Sequence, residues 1–392
     1  MIKNSKRSEI PTFLALDGMR IAQEMEAAGD NIIHLEVGQP STAAPQQVTD
    51  GLIAALSQAG NHGYSTPLGV PALRNAIAQH YHDTYGYHHD SGKIAVTVGS
   101  STAFALAFLA AFDEGDKVAL PTPGYPAYRN LMMAMGIEPV ALPARAEQGW
   151  MPALKAMEEW DELPDGIIIA SPHNPTGVVL SDAEMREICD WCKNHSVRLI
   201  SDEIYHGLTY GTPAQTAGLY NDEAIIISGF SKYYSMTGWR LGWLLMPDDL
   251  ADRIEKLVQN LFIAAPTPNQ MGAIHAFAAK DELQAHLARY ATNRDILLSG
   301  LSPLLLGNHA PCDGAFYLYV DISALSDDSL AFSKALLERE GVATTSGVDF
   351  DQEQGHLHLR LSFAGSTDDM HEAVKRINRF VDYYQQSNRR SA

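Results

Sequence analysis

Apolar and polar positions along the chain change period at regular intervals, and those changes predict its elements. Residues 14–28 repeat at helical spacing, whereas 32–37 is a short apolar run stopped by Gly38-Gln39-Pro40, a strand-to-loop signal. Residues 61–71 are rich in Gly, Pro, Ser and Asn and predict an irregular loop, followed by a helix with Pro71 in its first turn. Strands are expected at 93–98, 118–120, 137–142, 167–170, 198–201 and 224–228. A helix is expected from 100 to 112. Another opens at Ser181, where Glu184 completes a capping box, and ends near His195. Strands alternating with helices predict an α/β fold: a mostly parallel sheet covered by helices on both faces, with ligands held beyond the carboxyl ends of the strands. After about Tyr290 the order changes. Strands at 314–320 and 356–363, with helices at 329–340 and 368–384, predict a smaller α+β unit.

Composition narrows the class. At 392 residues the chain is long enough for two domains with their own cores. A net charge of −19 argues against nucleic acid or an anionic membrane as partner. No run approaches the roughly 18 apolar residues of a membrane span, and the polar, basic start (1–7) lacks the apolar region of a signal peptide. An odd, low count of three cysteines fits a reducing cytoplasm. Cys189 and Cys192 form a C-x-x-C, but within a helical pattern and without a second pair, so helix packing is expected of them.

The candidate chemistry gathers where predicted strands end. Lys232 follows the 224–228 strand in a turn rich in Ser and Gly, either as a solvated lysine or as an amine whose pKa is lowered so that it can form a Schiff base. Arg240, eight residues on, adds a guanidinium suited to a phosphate. Gly99-Ser100-Ser101-Thr102 joins a strand to a helix N-terminus, which serves equally as a plain cap or as an anion site. Asp202 and Glu203 end another strand, and if strand geometry persists they point to opposite faces. In His356-Leu357-His358-Leu359-Arg360-Leu361-Ser362-Phe363, the apolar residues are expected to face a core and His356, His358, Arg360 and Ser362 the other side. No companion ligand turns the two histidines into a metal site, and none is expected.

Read together, Ser231-Lys232-x-x-x-Met236-Thr237-Gly238-Trp239-Arg240-x-Gly242 resembles the cofactor-lysine signature of the class I/II aminotransferases, fold-type I enzymes dependent on pyridoxal 5'-phosphate. The resemblance spans about residues 32–363. It implies a large cofactor domain at 46–290, and a small domain built from both chain ends, 1–45 and 291–392. It implies that Lys232 holds the cofactor as an internal aldimine and shuttles a proton. Ser100, Ser101, Thr102, Ser231 and Arg240 would bind the phosphate side, Tyr125 would stack on the pyridine ring, Asp202 would pair with its nitrogen, and Asn174 and Tyr205 would bond its phenolic oxygen. Arg360 would clamp the substrate carboxylate, with Gly38 and Asn174 beside it. Tyr64 would reach the neighbouring subunit's cofactor, making a homodimer with shared sites. One departure is Gly229, where many members have a phosphate-binding Ser; here Ser228 lies one position earlier. The expected activity moves the amino group of an L-amino acid to a 2-oxo acid in ping-pong half-reactions. A lyase of the C–S β-lyase type, or a synthase, is the alternative on the same scaffold. A ligand-sensing regulator would need a DNA-binding segment, which this chain has no basic stretch to supply.

Overall fold

Seven strands form the central sheet: β2 (Ile94–Thr97), β3 (Lys117–Thr122), β4 (Glu138–Pro143), β5 (Gly166–Ala170), β6 (Arg198–Asp202), β7 (Ile225–Gly229) and β8 (Gly242–Leu245). The computed structural model describes residues 2–391. The sheet order is β2-β8-β7-β6-β5-β3-β4. The neighbouring pairs from β7 through β6, β5 and β3 to β4 are parallel, and β8 runs antiparallel to both β2 and β7. Every residue of β2, β7 and β8 is buried, as expected of strands covered on both faces. β8 was not predicted as a strand: it is only four residues long and follows the 3-10 turn at Thr237–Trp239 too closely to show a pattern of its own.

The chain ends come together. β1 (Ile33–His34) pairs in parallel with β10 (Val342–Ala343), although the two are more than 300 residues apart. β9 (Tyr317–Asp321), β11 (Thr345–Ser346) and β12 (His358–Ser362) form a three-stranded antiparallel sheet in the order β11-β12-β9. Two expectations need correcting here. The 32–37 run yields only two strand residues, because Glu36 and Gly38 are drawn off to bond side chains of the site. His356 lies in a 3-10 turn rather than in β12, and both faces of β12 are buried, not one. His358 stacks on Tyr319 with ring centroids 4.9 Å apart and uses Nδ1 on the Gln354 carbonyl.

Local signals explain the helices that matter. Pro71 stands at the start of the Pro71–Tyr85 helix, and Pro126 opens Pro126–Met135. The Ser181 hydroxyl accepts from the Glu184 N–H while the Glu184 carboxylate accepts from the Ser181 N–H, so the predicted capping box is formed. Cys189 and Cys192 are buried free thiols on that helix, packed against the sheet. Burial pushes both thiols well up, that of Cys189 to about 12, so neither is a thiolate at neutral pH.

Candidate active site

Five strand ends converge on one cleft. β2 delivers the Gly99 loop, β3 delivers Tyr125, β5 delivers Asn174, β6 ends on Asp202, and β7 runs into the Lys232 turn. The small sheet adds Arg360 from β12 and Tyr317 from β9.

The Lys232 amine donates to the Gly38 carbonyl at 2.7 Å. Enclosure lowers its pKa to about 8, helped by the positive charges of Arg360 and Arg240 and opposed by Asp202. Asp202 is buried. Its Oδ2 accepts a short hydrogen bond from the Tyr128 hydroxyl, and its Oδ1 accepts from the Ile204 N–H at 3.0 Å. Burial raises its carboxyl to about 6, and the Tyr128 and Ile204 bonds hold it down from going further.

Glu203 faces the other side of the sheet, as the two-residue strand period requires. Its carboxylate accepts from the Thr216 hydroxyl at 2.9 Å, the Ala217 N–H at 3.0 Å, Ser201 at 3.2 Å and Tyr81 at 3.3 Å. It therefore cannot stand in for Asp202. Ser228 is likewise turned away, donating to the Glu203 backbone carbonyl at 3.0 Å, so it does not replace the missing hydroxyl at Gly229. A Cβ built on Gly229 would sit 3.0 Å from Gly242 Cα and 3.1 Å from the Leu241 carbonyl, so the packing there is already tight.

Arg360 is buried and sandwiched, its guanidinium carbon 4.3 Å from the Tyr317 ring centroid and 4.7 Å from that of Phe350. Nη1 donates to Asn174 Oδ1 at 3.0 Å and Nη2 to the Glu36 carbonyl at 2.5 Å, while Nε is buried with no protein partner. Tyr205 and Tyr317 join their hydroxyls at 2.6 Å. A Cβ on Gly38 would overlap the Tyr317 hydroxyl, so only glycine fits there.

The anion cradle is equally specific. Gly99 has φ +74°, and a Cβ there would meet Arg240 Nη2 at 2.4 Å. A Cβ on Gly242 would meet the Ser100 N–H nitrogen at 2.6 Å, so two glycines let the guanidinium and the helix N-terminus approach each other. Arg240 itself is exposed and spends Nη1 on the Thr237 carbonyl at 3.1 Å. Ser100 and Ser101 open the Ser100–Ala111 helix, where the Thr102 hydroxyl already donates to the Val98 carbonyl. Ser231 is buried next to Lys232, and Tyr125 meets Tyr128 edge-on at 5.2 Å. Tyr64 is not brought in: it is 80% exposed. Among the described residues no cluster of three or more His, Cys, Asp and Glu is placed to hold a metal.

Sequence reasoning missed Tyr128, Tyr317 and Phe350. Tyr128 carried a usable signal, since three residues after Tyr125 on a helix puts both rings on one side. Tyr317 and Phe350 carried none: they reach the site only through the pairing of β9 with β12 and the turn before β12.

Nearly the whole chain has counterparts among known proteins. Residues 30–377 match the model of aminotransferase class I and II. A valine–pyruvate aminotransferase of Mycobacterium tuberculosis is 42% identical over 96% of this chain and 97% of its own length. The (5-formylfuran-3-yl)methyl phosphate transaminase of Methanocaldococcus jannaschii is 32% identical over 95% and 97%. Among solved structures, an aminotransferase from Mycobacterium tuberculosis superposes with TM-score 0.95 at 42% identity, covering 98% of this chain and all of that one. Aspartate aminotransferase from Thermus thermophilus with maleate gives 0.91 at 28% identity, over 97% and 100%.

Proposed function

The chain belongs to the class I and II aminotransferases, and from that premise we propose that Lys232 carries pyridoxal 5'-phosphate and that the substrates are an apolar L-amino acid and a short 2-oxo acid. The activity is transfer of an amino group from an amino acid to a 2-oxo acid.

One observation carries the residue assignments. Lys232 and Arg360 bond two carbonyls only two residues apart, Gly38 and Glu36. The amine and the guanidinium are thus held on one short strip of backbone. The unused Nε of Arg360 is a buried donor that a carboxylate would satisfy.

The residues present fit the cofactor: the Gly99 cradle and Arg240 for the phosphate, Asp202 for the ring nitrogen, Asn174 and Tyr205 for the phenolic oxygen, and Tyr125 for the ring face. When bound, that cofactor supplies an electron sink for the charge that develops at the substrate Cα. Arg360 would fix the substrate carboxylate, so that the Cα–H points at Lys232. Lys232, cationic below about 8 and neutral above, would in its neutral form take that proton and return it two atoms away. Asp202 would hold the proton on the ring nitrogen, and the Tyr128 hydrogen bond favours its ionised form.

The walls beside the clamp are aromatic, Tyr125, Tyr205, Tyr317 and Phe350, which suits an apolar side chain. With the valine–pyruvate relative, this supports valine-type donors and pyruvate. The exposed Tyr64 supports a homodimer in which each copy completes the other's site, and a cytoplasmic enzyme fits the absence of any described helix long and apolar enough to cross a membrane. We take 46–290 as the large domain and 1–45 with 291–392 as the small one, following the pairing of β1 with β10.

The test is a single-turnover screen of L-amino acids followed by cofactor absorbance. Valine and alanine should exceed aspartate and glutamate by at least about tenfold in kcat/KM, the worth of one methylene or more of apolar fit. Preference for a dicarboxylic amino acid would overturn the substrate assignment.

A further inference from the structure

A second cavity lies behind the Lys232 turn, on the sheet face opposite the cleft. Its volume is about 330 Å³, within the range of small-molecule sites. Its floor is the end of β7, Ser228 and Gly229, and Tyr233, next to Lys232, forms part of its wall. None of the catalytic candidates lines it.

The body of the cavity is aromatic. Tyr81, Tyr234, Trp243 and Phe277 line it, with Tyr234 and Trp243 both against Phe277 at ring centroids of 5.5 Å and 6.3 Å. Its polar rim is rich in donors. Gln284 Nε2 donates to the Tyr233 hydroxyl at 3.1 Å, which leaves the phenol proton free to donate onward. His80 uses Nδ1 on Thr84, so its Nε2 is left over. Lys280 adds an ammonium with no ion pair among the described residues. In a chain of net charge −19, no Asp or Glu lines this cavity. Glu203 lies sealed beneath it, bonded to Tyr81 and spoken for by Thr216 and Ala217. His80 and His206 are both held neutral by burial, at about 4 and about 3, which leaves Lys280 as the one fixed charge on the wall.

We propose that this cavity is a second ligand site, for a small aromatic carboxylate. The ring would lie among Tyr81, Tyr234, Trp243 and Phe277, and the carboxylate would meet Lys280 and the Tyr233 hydroxyl at the rim.

The probe is 4-fluorophenylacetate, followed by fluorine NMR on the holoenzyme. Because a carboxylate also suits Arg360, the titration is run in Arg360→Ala, which removes the clamp and leaves the cavity intact. Saturable binding with a dissociation constant of about 1 mM is expected, from the affinity per atom usual for a ligand of this size. In the same background Gln284→Trp or Thr84→Trp, both exposed rim positions, should abolish it by filling the mouth, and Lys280→Ala should weaken it about threefold. In the otherwise native enzyme, Gln284→Trp should leave kcat unchanged. No saturable binding in Arg360→Ala, or binding that survives both rim tryptophans, overturns the proposal.

Discussion

Lys232 is the residue on which opposite demands meet. It must stay uncharged often enough to act as a nucleophile, yet it sits near the buried Asp202, which favours the ammonium form. Enclosure and the two arginines win, and its pKa falls to about 8 against about 10.4 for a free lysine. The amine is therefore cationic below about 8 and neutral above. In the cofactor-free protein, trinitrophenylation of Lys232 by trinitrobenzenesulfonate should rise with pH to a midpoint near 8, read from the labelled peptide. A midpoint near that of ordinary lysines would mean that the enclosure does not act as described. Arg360 can be tested in parallel. Arg360→Ala should raise KM for amino acids by about tenfold or more, the worth of a lost charge-assisted bond, while cofactor affinity stays near normal. An unchanged KM would show that another group holds the carboxylate.

At the scale of elements, the site depends on strand ends and on what starts the next helix. The Ser100–Ala111 helix has Gly99 as its N-cap, with no side-chain cap, so its first N–H groups remain available to an anion. The Asp182–His195 helix is the contrast: the Ser181–Glu184 box satisfies its first turn, and it takes no part in the cleft. Ser181→Ala should cost about 1 kcal/mol of stability and leave kcat/KM unchanged. The urea midpoint checks the first and steady-state kinetics the second; a drop in activity without a drop in stability would contradict this division. Much of this was legible in the sequence. Apolar runs placed β2 to β7 to within one or two residues at most ends, because strands buried on both faces read as unbroken apolar stretches. The antiparallel β8 escaped because four residues directly after a turn carry too little pattern to register.

At the scale of the molecule, Tyr64 sits on a segment tied to the Thr267–Ala273 helix by the Thr267 hydroxyl on the Gly63 carbonyl at 2.7 Å and by Gln270 on Ser65 at 3.2 Å. The loop is thus held out with its tyrosine exposed, as a shared site would need. Mixing inactive Tyr64→Ala and Lys232→Ala enzymes under conditions of subunit exchange should restore activity, because one hybrid site has both residues. A monomer in sedimentation at assay concentration, or no recovery on mixing, would refute the shared site.

The sequence by itself determined which residue types stand at each strand end, because βαβ periodicity places those ends on one sheet edge and local motifs mark the turns. It also determined that Asp202 and Glu203 part to opposite faces, since side chains alternate along a strand. The tertiary structure alone decided what surrounds them. Tyr128 reaches Asp202 across 74 residues, and Arg360 reaches Asn174 across 186 and the Glu36 carbonyl across 324. Such contacts leave no periodic trace, because they depend on how segments far apart in the chain pack together. The cavity behind Lys232 belongs to the same class: its walls come from five separated segments, and only packing brings their donors together.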